Sequence, residues 1–179
     1  MKRVLVILLL VFAIHTTVSA QYSAIRINAL GLATGNVNAG VDVAVSEKWS
    51  VDVSGYWNPV STENWRTKIL GAVVGVRRWH FEPHVGLFWG LHSSVAQYRV
   101  GNRAKRYNGW TIGIGSSIGY SWMLARRWNF SLEGGLGLYY MNDTRWNSSP
   151  SPYEDISVHD YRRIILAPAK LEVSFSYLF

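Results

Sequence analysis

A serine, a histidine and several acids crowd together near the end of the chain. Ser157, His159 and Asp160 follow Glu154 and Asp155, and serine, histidine and acid are the members of a hydrolytic triad. A triad is defined by geometry, however, and one loop rarely supplies all three members. We therefore interpret this cluster as the polar surface of a long loop and expect no catalytic residues.

Two histidines lie within one short segment. His84 and His92 are eight positions apart with Phe88 between them, so an extended chain places both on one face. This spacing is not a recognised ligand motif, and a metal would need ligands from neighbouring strands. Cysteine is absent, which excludes disulfides and thiolate metal sites. We expect hydrogen-bonded histidines, no metal and no cofactor.

The start of the chain has the three parts of a secretory signal. Lys2 and Arg3 precede an apolar run of eleven residues, Val4–Ile14, which is shorter than the ~20 residues of a spanning helix. Small or apolar residues follow at Val18 and Ala20. We predict a cleaved signal peptide over residues 1–20 and one exported domain over 21–179. Cleavage removes two of the 18 basic residues, Lys2 and Arg3, and none of the 11 acidic ones, so the net charge of the exported domain is +5.

The composition of the 179 residues is 49% hydrophobic, 14% aromatic and only 16% charged, against about 25% charged in a soluble domain. Period-two alternation recurs from end to end, as in strands that bury one face. No helical period of useful length occurs. The alternation predicts eight strands: Ala24–Leu32, Val37–Ser46, Trp49–Asn58, Lys68–Arg77, His84–Tyr98, Trp110–Trp122, Trp128–Tyr140 and Ala169–Phe179.

The polar face of these strands is too small and uncharged for a solvated wall. In Trp110–Trp122 it contains only threonine, glycine and serine, which suits the crowded lumen of an eight-stranded barrel. We therefore predict an all-β, antiparallel up-and-down transmembrane barrel in the cell outer membrane, with both termini in the periplasm. The extracellular loops are predicted at Thr34–Gly35, Pro59–Arg66, Val100–Asn108 and Met141–Arg163.

Seven charged residues belong to the predicted lumen face. Because charges in a narrow, dry interior persist only when they are paired, we expect a salt-bridged plug. The alternative is a narrow pore for ions or small solutes. The seven residues are Arg26, Asp42, Asp52, Arg77, Glu133, Lys170 and Glu172.

Aromatic residues are expected at both membrane interfaces. Three pairs of a basic residue and a tryptophan occur at predicted periplasmic turns and place Trp49, Trp79 and Trp128 in one girdle. The last strand ends with Phe175, Tyr177 and the terminal Phe179, which are typical of the signal read by the barrel-assembly machinery. The opposite girdle is predicted to comprise Tyr56, Trp57, Trp65, Tyr98, Tyr107, Trp110, Tyr139 and Tyr140.

A basic tip occupies the third predicted outer loop. Its residues are Arg99, Arg103, Lys105 and Arg106, flanked by two tyrosines. Basic and aromatic residues together can indicate nucleic acid, but an exported barrel does not meet it. We expect contact with outer-membrane lipid, the phosphates of lipopolysaccharide or an acidic partner; a plain solvated loop is the alternative.

Several segments resemble an outer-membrane barrel family of Bacteroidota, domain of unknown function family 3575. The resemblance lies in Arg26–Leu30, Asn38–Asp42, Lys48–Gly55 with Asn58-Pro59, Arg77–Trp79, Gly90–His92, Gly119–Trp122 and Tyr177–Phe179. The family tends to place a carboxylate two residues before the strand-four arginine, where this chain has Gly75, so Arg77 must find another partner. The resemblance implies no activity; similar barrels near fimbria-like surface systems indicate a possible surface partner.

These observations predict a non-enzymatic barrel with a filled lumen that serves envelope structure or binds a surface partner through its loops. A narrow pore is the first alternative, and a lipid-modifying barrel enzyme is the second.

Overall fold

The computed structural model describes residues 23–60, 65–102, 105–148 and 155–179. Eight strands, each antiparallel to its neighbours, form a closed barrel in chain order, and the last strand pairs with the first. This confirms the predicted up-and-down architecture. The strands are β1 (Ser23–Asn28), β2 (Val37–Ser46), β3 (Trp49–Asn58), β4 (Trp65–Trp79), β5 (Gly86–Asn102), β6 (Lys105–Ala125), β7 (Trp128–Ser148) and β8 (Asp155–Leu178).

The barrel is polar inside and apolar outside. Among the described residues, 21 polar or charged side chains are buried but only seven hydrophobic ones, while 37 large hydrophobic side chains are exposed. Strand alternation explains this arrangement, since successive side chains point to opposite faces of the sheet. On β6, for example, Ile112, Ile114 and Ile118 point outward, and Ser117 and Ser121 point inward. Within the described residues, no helix is long and apolar enough to cross a membrane.

The two ends of the barrel differ in shape. At the end that holds both termini, β2–β3 and β6–β7 are joined by tight turns. The strands lengthen from six residues in β1 to 24 in β8, so at the other end β5–β8 extend beyond β1–β3. We call these extended strands the tall wall and this end of the barrel the tall end. The predicted loops at Pro59–Arg66, Val100–Asn108 and Met141–Arg163 are therefore too long, because strand pairing continues into all three.

A short helix replaces the end of the first predicted strand. β1 stops at Asn28, and α1 (Ala29–Ala33) follows it, so the predicted strand Ala24–Leu32 is wrong beyond Asn28. Asn28 caps this helix by accepting a hydrogen bond from the Gly31 amide at 3.2 Å. Its backbone N–H also donates to the Asn38 side chain at 2.6 Å, which directs the chain from β1 into β2.

Glycine on the inner face makes room for the charged side chains. Gly75 on β4 lies beside Asp52, and a Cβ at this position would be 2.7 Å from Asp52 Oδ1 and 3.0 Å from the His92 Cβ. Gly134 on β7 points outward, and a Cβ there would have no atom within 4 Å. The two glycines therefore offer a matched pair for testing how tightly the lumen is packed.

We predict that Gly75→Ala lowers the free energy of unfolding by about 1–3 kcal/mol, because overpacking displaces Asp52 from its partners. Gly134→Ala should leave the free energy of unfolding within about 0.5 kcal/mol of the parent, as is usual for surface changes. Urea unfolding of the refolded protein in detergent micelles, followed by tryptophan fluorescence, measures both. Equal midpoints for the two variants would show that the lumen is loosely packed.

Candidate functional site

The seven lumen charges lie together in one layer across the barrel. Six strands supply them, and each of the seven residues is at most 6% exposed. We call this set the ion layer. Its members are Arg26 on β1, Asp42 on β2, Asp52 on β3, Arg77 on β4, Glu133 on β7, and Lys170 and Glu172 on β8.

Asp52 is one centre of the ion layer. Its Oδ2 atom lies 3.1 Å from Arg26 Nη2, 3.1 Å from Lys170 Nζ and 3.6 Å from Arg77 Nη2. These cations come from β1, β8 and β4, and they reach the carboxylate because the lumen of an eight-stranded barrel is only as wide as its side chains. Two of these cations, Arg26 and Lys170, thus come from strands that are not paired with β3.

Glu133 is the second centre and contacts the same three cations. Arg77 Nη2 lies 2.6 Å away, Lys170 Nζ 3.2 Å and Arg26 Nη1 3.6 Å. Arg77 also pairs with Asp42 through Nη1. Arg77 therefore contacts three carboxylates, although Gly75 on its own strand offers none.

Hydroxyl groups donate further hydrogen bonds to two of the carboxylates. Four carboxylates face three cations in the ion layer, so further donors are needed. Ser117 Oγ donates to Glu133 at 2.6 Å, and Tyr56 OH donates to Glu172 at 2.5 Å. Isolated buried charges are costly, whereas charges that are both paired and hydrogen-bonded are tolerated. These contacts link the strands to one another through the lumen.

The two histidines are both buried in the barrel. His92 lies on the inner face of β5, and neither of its ring nitrogens has a hydrogen-bond partner among the described residues, so the expectation of a hydrogen-bonded side chain is wrong there. His84 lies in the turn before that strand with a φ of 71°. The His84 carbonyl accepts hydrogen bonds from Ser121 Oγ and Asn129 Nδ2, at 2.8 and 2.6 Å. No group of three or more potential ligands that could hold a metal occurs in the described part of the chain.

A second cluster, centred on the buried Asp143, lies on the inner face of the tall wall. Asp143 is 1% exposed; it accepts hydrogen bonds from Arg145 and Tyr98, at 3.2 and 3.3 Å, and forms an ion pair with Arg163 at 3.1 Å. The Arg145 guanidinium also lies 3.7 Å from the ring centroid of Tyr161. We call these five residues the mouth cluster. The sequence reasoning missed it by treating Met141–Arg163 as a loop, although the alternation of Met141, Asp143 and Arg145 continues that of β7.

The prediction that Trp79 belongs to an interface girdle is wrong. Trp79 is 3% exposed, and its Nε1 donates to Ser50 Oγ inside the barrel at 2.9 Å. Trp79 points to the same side of the sheet as Arg77, because alternate residues of a strand point the same way and Trp79 is the second residue after Arg77. Arg78 points outward instead, with its guanidinium 5.7 Å from the centroid of the Trp49 ring. Trp49 and Trp128 are exposed on the outer surface.

The same alternation divides the second aromatic set and the last strand. Trp57, Trp110 and Tyr140 lie on the outward face, whereas Tyr56 and Tyr98 bond to lumen carboxylates and so do not belong to a girdle. On β8, Phe175 and Tyr177 share the outward face, with ring centroids 5.4 Å from Phe130 and 5.2 Å from Trp128. The terminal Phe179 is also exposed, and its amide donates to the Ser23 carbonyl.

Other predicted residues fall partly outside the described chain. Arg99, Lys105 and Arg106 are exposed at the tall end, and Arg103 lies outside the described residues. So do the predicted signal over residues 1–20, Glu154, and the side chains of Asp155, Ser157 and His159. Asp160 is described and exposed.

A closed eight-stranded antiparallel barrel with a charged, hydrogen-bonded interior is the class that this fold and site define. The model of one protein family matches residues 6–179. The chain belongs to that family, which is described as Protein of unknown function (DUF3575), and the resemblance seen in the sequence is thereby confirmed. No curated protein and no solved structure matches the chain.

We predict that Arg77→Met lowers the free energy of unfolding by about 3–5 kcal/mol, because it leaves buried carboxylates without a cation. Arg145→Met is the control: Arg163 and Tyr98 still hold Asp143, and Arg145 is 29% exposed, so a loss of about 1 kcal/mol or less is expected. Urea unfolding measures both. Similar losses would show that the ion layer is no more important for stability than the mouth cluster.

Proposed function

We propose that this protein is a non-enzymatic outer-membrane barrel whose lumen is closed by the ion layer. In this proposal residues 1–20 are the export signal, the termini lie in the periplasm and the tall end faces the cell exterior. The observation that carries it is the pairing of seven buried charges across a narrow lumen. The barrel serves the envelope as a rigid element and presents its tall end to a surface partner.

The outer surface supports a membrane location. Exposed residues such as Ile114, Leu138 and Leu166 form an apolar belt, and a soluble barrel would instead turn that face inward. Trp49 and Trp128 lie at one end of the belt, and Trp57 and Trp110 lie toward the other. Tryptophan is enriched at the two membrane–water interfaces, so the belt has the pattern of a lipid-facing wall.

The ends of the barrel suggest two kinds of partner. The outward-facing aromatic residues at the end of the chain, Phe175, Tyr177 and Phe179, are proposed to contact the barrel-assembly machinery during insertion. The tall wall of β5–β8 is proposed to contact a surface protein, of which a fimbria-like component is one candidate by resemblance. The basic residues Arg99, Arg103, Lys105 and Arg106 of this chain are proposed to lie against the phosphates of lipopolysaccharide.

The orientation can be tested with single cysteines, because the chain has none of its own. We expect Arg106→Cys in intact cells to react with a maleimide polymer too large to cross the outer membrane. Arg126→Cys, in the turn between β6 and β7, should react only after that membrane is opened. Labelling of Arg126→Cys in intact cells would contradict the proposed orientation.

The closed lumen predicts that the purified protein gives no steady openings in planar lipid bilayers. The double variant Arg77→Ala and Glu133→Ala removes two long side chains of opposite charge from the ion layer, and we expect it to give frequent openings. Refolding of this variant is checked by the shift that folded barrels show on unheated gels. Regular ohmic openings of the parent protein would instead support the narrow pore.

A further inference from the structure

Within the described residues, the outer ends of β4, β5 and β6 carry basic residues that have no acid beside them on the outward face. Between Trp65 and Asn142 the chain has only two acids: Glu82, at the opposite end of the barrel, and Glu133, in the ion layer. The outward face of this part of the wall therefore has no carboxylate of its own. Its basic residues include Arg66, Lys68, Arg99 and Arg106.

Lys68 and Arg99 form an unusual cross-strand pair. They are direct partners in the register of β4 and β5, and both side chains are exposed. Like charges directly opposite one another in an antiparallel sheet are destabilising. In the described parts of the chain, neither residue has a carboxylate partner. This pair is therefore suited to an anion bound from outside the protein.

A groove of about 530 Å³ lies at the same place on the outer wall. Lys68, Arg99 and Asn108 line the part of the groove nearer the tall end, which is its upper part. Asn108 is the register partner of Arg99 on β6. Trp57, Leu70 and Trp110 line its lower part and are between 43% and 61% exposed. The groove thus combines cations and an amide with a wide apolar surface on the side of the membrane belt.

We propose that this groove binds the phosphorylated sugar headgroup of an outer-leaflet glycolipid, with a phosphate between Lys68 and Arg99. Trp57, Leu70 and Trp110 contact the sugar and the first part of the acyl chains. This inference rests on the proposed membrane location and orientation. A lipid suits the groove better than an acidic protein, because exposed tryptophans beneath cations are the arrangement of a membrane interface.

The test compares two double variants with the same change in charge. Lys68→Ser with Arg99→Ser removes the proposed site, and Lys48→Ser with Arg126→Ser removes two exposed cations from the opposite end. Native mass spectrometry of the detergent-solubilised full chain measures binding of bis-phosphorylated lipid A. We expect about thirtyfold weaker binding for the first variant, as for the loss of two basic residues at a lipid surface, and unchanged binding for the second.

Two further probes separate the parts of the ligand. Dephosphorylated lipid A should bind the parent protein as weakly as the first variant binds intact lipid A, and inorganic phosphate should not displace intact lipid A. The variant Trp57→Ala with Trp110→Ala should also weaken binding, since it removes the apolar part of the groove.

Equal lipid A binding by the two charge variants would overturn the inference, and so would displacement by inorganic phosphate, which would indicate a free-anion site. An acidic surface protein that protects Lys68 from acetylation where lipid A does not would overturn it as well. The cysteine labelling distinguishes these failures from that of the proposed function. If Arg106→Cys and Arg126→Cys label as expected while lipid A binding is unselective, only the glycolipid site is excluded.

Discussion

The network of ion pairs between four carboxylates and three cations inside the closed barrel is the interaction on which the rest of the structure depends. Asp52 and Glu133 each contact Arg26, Arg77 and Lys170, so two acids bind cations from three strands. A buried ion network often contributes little net stability compared with apolar packing. Its effect here is geometric, because a one-residue slip of any strand would turn its charge from the lumen to the outer surface.

The ion layer also accounts for the small residues around it. Long charged side chains fill a lumen of this width only if the strands beside them contribute little volume. Gly75 shows this directly, since any side chain at that position would meet Asp52. Ser117 contributes a small side chain and also a hydroxyl donor to Glu133. The small residues of the inner faces therefore supply space for the charged residues, and Ser117 also supplies a hydrogen bond.

The alternation of side chains predicted the strand order, the inward face and all seven members of the ion layer. It did so because one rule, two residues per repeat, decides the direction of every side chain in a strand. The same rule places Trp79 inside the barrel with Arg77. Trp79 was wrongly assigned to the girdle because it was grouped with Trp49 and Trp128 by its basic–tryptophan motif and not by the face of its strand. The pairwise contacts of Arg77 were beyond prediction, since they depend on barrel stagger and on which side chains meet across the lumen.

Strand length was harder to predict than strand face. Polar residues near Asp143 and Arg163 resemble a loop in composition, yet they are the inner face of paired strands. The ion layer draws on strands around the barrel, whereas the mouth cluster draws only on β5, β7 and β8, because β1–β3 end below that level. Asp143 must therefore find its cations within the wall, from Arg145 on its own strand and Arg163 on the next. The same polar bonding thus links strands through the lumen where the barrel is complete and links strands of a single wall where it is not.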